Sequence, residues 1–395
     1  MNFLDENVRK KIANRLFYVA LLIELVLMIV EKSELYFPYE SYVFRVTFVL
    51  TFFAVIISRH EKKEWFLIAC VWVFTFACYR LTGKNDLLRF ATFIMAAKNI
   101  NLGKTMKVSL YVSLAGFATI ALLSVLGVLG QVYMVTDYGR DNAQELRYVF
   151  GFGHPNTLWG CVYALMLLWL WVYGSKAKWW KYATLLVISL LTGVVTASRT
   201  GLLISTFTFV LALVVRYFPM ISNKKWVYAL TGLLSPVFCV LFSIWGAAVS
   251  YVPRYAFEHR HYELITFIDE LINNRMQNLY RDNGRHSGAL VSWKLFSDHQ
   301  SVEYFDMGWV RLFYWYGIIP AAVICILLVV FIYICYKRRD AWSMVLFISL
   351  SIYTVIEATF VSVYIGRNML LPVMGVYLGS LFEKGKNKCH LKPEK

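Results

Sequence analysis

The chain has 395 residues, of which 59% are hydrophobic and only 16% are charged. This composition leaves too little polar surface to cover a soluble globule, so it predicts a polytopic membrane protein. The formal net charge of +16 is divided among short loops between apolar segments. Such a distribution encodes orientation in a membrane, and it argues against the single basic face of a nucleic-acid-binding protein.

Apolar segments long enough for a bilayer run through the whole chain. A helix needs roughly 20 apolar residues to cross the hydrocarbon core, and twelve segments approach or reach that length. They lie near residues 14–31, 41–58, 64–81, 86–101, 107–130, 156–174, 181–197, 201–217, 227–249, 309–336, 341–361 and 367–382. The sequence therefore predicts an all-α integral membrane protein with about twelve transmembrane helices.

Two of these segments have unusual ends. The first follows a basic start, as a signal peptide does, but it ends at Glu31-Lys32-Ser33 without a small-residue cleavage site. We therefore expect it to be a retained helix. The tenth is long, and its first part, Trp309 to Gly317, is expected to form a separate interfacial or re-entrant turn before Pro320.

The basic residues orient the predicted helices, because Lys and Arg concentrate in cytoplasmic loops. Clusters that contain lysine precede the first segment and follow every even-numbered segment, which predicts that both termini are cytoplasmic. Arginine dominates the opposite side, at Arg140, Arg147, Arg199, Arg311 and Arg367 and in the long loop. Because the guanidinium is a permanently charged fork suited to phosphate and carboxylate, this side is the predicted functional side.

One long polar interval, residues 251–306, separates the ninth and tenth segments. It is expected to form an extracytoplasmic loop inserted into a single membrane domain of residues 1–395. Residues 262–280 carry apolar side chains at helical spacing, which predicts an amphipathic helix lying on the membrane domain. Asn283-Gly284 and Ser287-Gly288 then predict turns.

Two short motifs on the predicted outer side carry residues suited to chemistry. The first runs from Arg147 through Gly-Phe-Gly-His154-Pro155-Asn156, immediately before the sixth segment. A turn with a capping His or Asn at a helix start explains the same residues without a function. The second is Ser198-Arg199-Thr200-Gly201, between two segments with almost no loop. An arginine this close to hydrocarbon needs a partner or an anionic ligand, or it extends to lipid phosphates.

The long loop and the last segments supply two further groups. Arg275, Arg281, Arg285 and His286 follow the predicted loop helix, although a run of arginines is usually a solvated face. Asp306 and Arg311 close the loop, and Glu357, Arg367 and Asn368 lie near the chain's end. Glu357 is predicted to lie within an apolar helix, where a carboxylate is functional or paired, and either role predicts an arginine partner. His259-Arg260-His261 has no recognisable ligand set around it, so no metal site is predicted.

These residues together resemble the O-antigen ligase/polymerase superfamily, and within it the Wzy-type capsular and exopolysaccharide polymerases of bacteria. The resemblance is carried by Arg147 with Gly151–Asn156, by Ser198–Gly201, and by a long outer loop with Asn274-Arg275 and a closing Asp306. Related chains usually have Ser-Gly-Arg where this one has Asn273-Asn274-Arg275. They also have Asp-Asn with a nearby Tyr where this one has Asp306-Met307-Gly308-Trp309.

The resemblance implies an enzyme of the bacterial cytoplasmic membrane that joins polyprenyl-diphosphate-linked oligosaccharide units on its outer face, without a metal or cofactor. Arginines stabilise the leaving diphosphate, and a base accepts the proton of the attacking sugar hydroxyl. The expected catalytic residues are Asp306, His286 and His154, in no fixed order. The expected substrate-binding residues are Arg147, Arg199, Arg275, Arg285, Asn156 and Glu357.

Two other functions share these features. A ligase-like transferase that moves a finished glycan to another acceptor has the same donor and the same arginines. A transporter or flippase is disfavoured, because the sequence lacks an inverted repeat and its ionisable residues gather on one side. The expected partners of a polymerase are the lipid-linked oligosaccharide, the bilayer, a chain-length regulator and a flippase, with no nucleic acid.

Overall fold

The computed structural model describes residues 5–137, 144–222, 224–252, 263–280, 286–359 and 361–382. The helices in chain order are α1 Glu6–Glu31, α2 Glu40–Ile57, α3 Lys62–Thr82, α4 Asp86–Ala96, α5 Leu102–Val125, α6 Pro155–Tyr173, α7 Trp179–Val195, α8 Arg199–Tyr217, α9 Pro219–Ser222, α10 Lys225–Ala248, α11 Glu263–Leu271, α12 Gly308–Tyr316, α13 Ile318–Arg338, α14 Ala341–Ile356 and α15 Leu370–Gly379. A two-stranded antiparallel hairpin, β1 Tyr133–Asp137 and β2 Gln144–Tyr148, lies between α5 and α6.

Within the described residues, eight helices are long and apolar enough to cross a membrane, namely α1, α2, α3, α5, α6, α8, α10 and α13. Three shorter apolar helices, α7, α14 and α15, add to them. Every predicted segment overlaps a helix, and eight of these helices qualify as candidate spans, so the count of twelve stays a prediction. Large apolar side chains such as Phe53, Val73 and Phe238 are exposed on the outer faces. The helices therefore indicate a multi-pass membrane protein.

The core of the bundle is built around α14 and α15, which are apolar on all sides. Nearly every side chain of α14 is buried, because α6, α8, α10 and α13 pack around it. The helix α15 packs against α4, α5 and α13 and so joins the N-terminal helices to this core. Apolar residues around the whole circumference are typical of helices that are enclosed by others.

Successive long helices run in opposite directions, so the C-terminal ends of alternate helices lie at the same end of the bundle. We call this the site end; the helices that terminate there are α1, α3, α5, α7, α10 and α14. The predicted break in the tenth segment is confirmed there, because α12 stops at Tyr316 and α13 starts at Ile318. The joint is Gly317, whose φ of +101° favours glycine, and any Cβ at that position would lie 2.6 Å from the carbonyl oxygen of Leu295.

Three other predictions about local structure were wrong. The fifth helix ends at Val125 rather than near residue 130, and the sequence analysis did not anticipate the hairpin that follows. The loop helix ends at Leu271, well before residue 280, because Asn273 and Asn274 both have φ of +58°. Glu357 lies just outside α14, in extended backbone, rather than inside a helix. The Ser287-Gly288 turn is confirmed, and Asn283-Gly284 lies outside the described residues.

Candidate functional site

A cavity of about 930 Å³ lies between the helices at the site end. Five cationic side chains line it: Lys32, Arg147, Arg199, Arg275 and Arg367. Four carboxylates line it as well: Glu31, Glu270, Asp306 and Glu357. The cavity continues between the helices to Leu21, Phe93, Leu167 and Leu350. It is therefore charged where the loops meet and mainly apolar along the helices, where Ser109, Ser113 and Tyr163 are polar exceptions.

The structure brings most of the sequence-predicted site residues to this one cavity. Its walls include His154, Asn156, Arg147, Arg199, Arg275, Asp306 and Glu357. His286 is not among the lining residues. Its backbone has a φ of +46°, and its ring stacks on Tyr280 with centroids 3.7 Å apart. Arg285 lies outside the described residues.

Arg147 is supplied by the second strand of the hairpin, where it is paired in register with Met134. Glu145 and Arg147 are alternate residues of this strand, so their side chains share one face of it. On that face the Nε of Arg147 donates to the carboxylate of Glu145 at 2.9 Å. The arginine is buried. The hairpin thus presents a guanidinium to the cavity with the carboxylate of Glu145 beside it.

Tight backbone turns connect Arg147 to α6. Gly151 and Gly153 have φ of +77° and +69°, a region that glycine enters at little cost. The carboxylate of Glu34 accepts the backbone N–H of Gln131 at 2.9 Å, and the N–H of Glu34 donates to the carbonyl of Gly151 at 3.1 Å. The segment after α1 therefore fastens the glycine-rich turn on the wall of the cavity.

His154 caps α6. Its Nδ1 accepts the backbone N–H of Asn156 at 3.2 Å, and Pro155 takes the first helical position. When Nδ1 is an acceptor, the proton of the neutral imidazole resides on Nε2. The basic nitrogen of His154 is therefore engaged by the helix, and its Nε2 carries the proton.

Lowering the pH should weaken this cap. Burial lowers the pKa of His154, and the guanidinium groups of Arg147 and Arg275 lower it further. The same imidazole in an unfolded chain has a pKa of about 6.5, so the unfolded chain takes up a proton first as the pH falls. The stability that depends on neutral His154 should be complete above about pH 6.5 and disappear as the pH falls through the lower folded pKa.

The measurement is the melting temperature of the purified protein and of His154→Asn between pH 8 and 5. Asparagine is also a good N-cap but does not titrate. The wild type should lose stability relative to the variant on acidification. A difference between the two proteins that stays constant over this pH range would contradict the assignment.

Arg199 is the first residue of α8, directly after a joint of three residues. The N–H of Ser198 donates to the carbonyl of Gly193 and that of Ala197 to Val194, which is a Schellman motif with alanine at the left-handed position. Ala197 has φ of +50°, a conformation that costs about 1 kcal/mol or more for a residue with a Cβ. Gly201 is required for close packing, since a Cβ there would lie 2.4 Å from the ring of Trp159.

Arg199 differs from the other arginines of the cavity in its surroundings. It is exposed, and no carboxylate lies within ion-pair distance of it in the described part of the chain. Its position at the start of α8 adds the partial positive charge of the helix N-terminus. This combination favours an anion from outside the protein.

Arg275 follows the double left-handed turn that ends α11. Asn adopts this conformation more readily than most residues, so Asn274 can occupy a position that suits glycine. The buried carboxylate of Asp269 accepts the backbone N–H groups of Met276 at 2.7 Å and Gln277 at 3.2 Å. Asp269 thereby fixes the backbone immediately after Arg275.

Arg275 joins two carboxylates of the cavity. Its Nη1 donates to Asp306, and its Nη2 donates to Glu357 at 3.1 Å. The prediction that Glu357 has an arginine partner is therefore confirmed. The partner belongs to the long loop, 82 residues away in the chain.

Sequence analysis missed two site residues at the end of the first helix. Glu31 accepts two hydrogen bonds from Arg367, one of them from Nε at 3.1 Å, across a separation of 336 residues. The ammonium of Lys32 lies 3.8 Å from Glu31. Burial lowers the pKa of Lys32, as does the nearby Arg367, whereas Glu31 raises it. One signal was present, because Lys32 is a lysine on the predicted outer side, where arginine dominates.

Two buried arginines hold the backbone of residues 361–368, which carry Arg367. Arg89 donates to the carbonyl of Val363 at 2.9 Å, and Arg311 donates to that of Val361 at 2.5 Å. Neither arginine lines the cavity. Arg311, which the sequence suggested for the site, is instead enclosed between the rings of Tyr304 and Trp315, each 4.1 Å away.

The chain was also compared with known proteins. No protein-family model matches it, and neither the curated proteins nor the solved structures yield a match. Within the described residues, no group of three His, Cys, Asp or Glu side chains is arranged to hold a metal ion. The chemistry that the geometry supports is recognition of an anion by arginine, next to carboxylates that can accept a proton.

Proposed function

We propose that this protein is a membrane polysaccharide polymerase that joins polyprenyl-diphosphate-linked oligosaccharide units. In this proposal twelve helices span the bacterial cytoplasmic membrane, both termini are cytoplasmic, and the site end faces outward. The clusters of lysine at the opposite end of the bundle support this orientation. The motif resemblance to Wzy-type polymerases supports the reaction class.

The observation that carries the proposal is the amphipathic cavity. A polyprenyl diphosphate has an anionic head and a hydrocarbon chain. The cavity matches both parts, with arginines at the site end and apolar side chains between the helices. Arginine is the side chain best suited to hold phosphate oxygens through paired N–H donors. The strain at Ala197 next to Arg199 is typical of a functional position.

The proposed reaction is a direct glycosyl transfer. The hydroxyl oxygen of the acceptor sugar forms a bond to the anomeric carbon of the donor, and the bond from that carbon to the diphosphate oxygen breaks. The diphosphate leaves with the electron pair, and a base takes the hydroxyl proton. Arg147, Arg199 and Arg275 stabilise the negative charge that develops on the diphosphate, and they act most strongly where water is excluded.

Asp306 is the best candidate for the base. His286 lies away from the cavity, and Nδ1 of His154 is occupied by the backbone of α6. Asp306 lines the cavity and is a carboxylate. In this assignment His154 donates a hydrogen bond from Nε2 to substrate oxygen, with Asn156 beside it, and Glu357 orients Arg275.

The test is a gel of lipid-linked glycan from cells in which the gene is deleted, with and without a wild-type copy. A polymerase predicts single repeat units on the lipid carrier after deletion and a long ladder after complementation. A long ladder that stays on its carrier would instead identify a ligase-like transferase. An unchanged pattern would reject both activities.

A further inference from the structure

Arg275 is held between two carboxylates of the cavity. Its two terminal nitrogens bind Asp306 and Glu357, and its side chain is 10% exposed. Its Nε is buried without a hydrogen-bond acceptor. One positive charge is therefore shared by two negative charges, and the trio carries a net charge of −1 before any ligand arrives.

An anionic ligand cannot simply be added to this arrangement. A diphosphate beside Arg275 would meet two carboxylates within the same partly dry site, where repulsion between like charges is stronger than in water. Either the ligand avoids Arg275 or one carboxylate moves away. Arg275 lines the cavity, and its two terminal nitrogens are donors suited to phosphate oxygen, which favours the second course.

The two carboxylates differ in how firmly they are held. Glu357 directly follows the buried helix α14, and its side chain is 27% exposed. Asp306 ends a stretch without regular structure, and its side chain is 40% exposed. Asp306 is hydrated more easily and is less constrained by its backbone, so it is the carboxylate that an incoming anion displaces.

We propose that Asp306 occupies the anion-binding position of Arg275 and that a diphosphate exchanges with it. Glu357 stays in place and keeps the guanidinium oriented. If the proposed polymerase function holds, the exchange also releases the Asp306 carboxylate beside the bound donor, where it can accept a proton. The base is thus withheld until the leaving group is bound.

The test is binding of inorganic pyrophosphate and of farnesyl diphosphate to the purified full-length protein in phosphatidylcholine nanodiscs, measured by titration calorimetry. Asp306→Asn removes the competing charge and keeps the shape. It should bind both probes up to about fivefold more tightly than the wild type, the factor expected if displacing a partly exposed ion pair no longer opposes binding. Asp306→Ala should show the same direction, which separates loss of charge from a new amide contact.

Two further variants make the result specific. Asp298 lies in the same loop, forms an exposed ion pair with Lys294 and does not line the cavity, so Asp298→Asn should leave binding unchanged. Arg275→Ala combined with Asp306→Asn should lose the gain. If the wild type and all of these variants bind farnesyl diphosphate more tightly than pyrophosphate, the apolar part of the cavity is the site of the hydrocarbon chain.

Binding to Asp306→Asn that is equal to or weaker than binding to the wild type, or absent in both, would overturn the exchange. This outcome is separate from the polymerase test. An exchange seen by calorimetry together with an unchanged glycan pattern in deleted cells would reject the polymerase and keep the exchange. A ladder that is lost on deletion of the gene, together with no tighter binding by Asp306→Asn, would support the polymerase and reject the exchange.

Discussion

Arg199→Ala should reduce polymer formation roughly 100- to 1,000-fold, the range found when one donor to a developing negative charge is removed. Arg199 is the cavity arginine without a carboxylate partner among the described residues, so its charge is fully available to a ligand. The ladder of lipid-linked glycan in deleted cells that carry the variant measures the effect. Polymer formation by Arg199→Lys should fall between that of the wild type and that of Arg199→Ala, because an ammonium keeps the charge but not the planar fork.

Arg80 provides the control. It is exposed in the last turn of α3, at the same end of the bundle, and it does not line the cavity. Arg80→Ala should therefore produce a normal ladder, which excludes a general effect of removing positive charge from this surface. A normal ladder from Arg199→Ala, in protein shown to be inserted and folded, would remove the central residue of the proposed site.

Arg89→Met should be among the most destabilising single substitutions in the chain. Arg89 and Glu24 are buried inside the bundle and form an ion pair of 3.0 Å, which the hydroxyl of Thr47 extends with a hydrogen bond to Glu24. Removing one partner of a buried pair leaves an uncompensated charge and typically costs about 3–5 kcal/mol. Thermal unfolding of the purified protein in detergent measures the loss.

A second variant separates stability from function. Glu24→Leu combined with Arg89→Met removes this ion pair, so part of the lost stability should return, as it does when a buried pair is replaced by apolar side chains. The return should be incomplete, because the buried carboxylate of Asp86, 3.9 Å from Arg89, also loses its arginine. Polymer formation should stay low, since the hydrogen bond from Arg89 to the carbonyl of Val363 is absent and the segment with Arg367 is released. Recovery of both properties would show that Arg89 has no positioning role.

The helical class and the site arginines could be predicted because both leave local signals. A run of apolar residues predicts a membrane helix, and Arg199 between two such runs is conspicuous because it is costly there. The ends of the helices were harder to predict from the sequence. The apolar run of α5 continues through Leu126, Val128 and Leu129, whereas the helix stops where Gly127 and Gly130 adopt positive φ. Hydropathy alone does not distinguish an apolar run that continues a helix from one that follows its end.

Partnerships within the site could not be predicted, because they join distant parts of the chain. The sequence indicated that Glu357 needed an arginine, but several arginines on the same side were equally suitable. The choice of Arg275 depends on the turn at Asn273 and Asn274 and on Asp269 behind it. His286 shows the converse, since its place next to Arg285 suggested chemistry and its backbone directs it onto Tyr280.

The ion pair between Glu31 and Arg367 determines when the site can exist. Glu31 is synthesised 336 residues before Arg367, and the two meet across that separation. Until the last helix is inserted, Glu31 and Lys32 lack this partner, and the cavity lacks one wall. A protein shortened from its C-terminus before Arg367 would therefore insert its early helices and still have no assembled site.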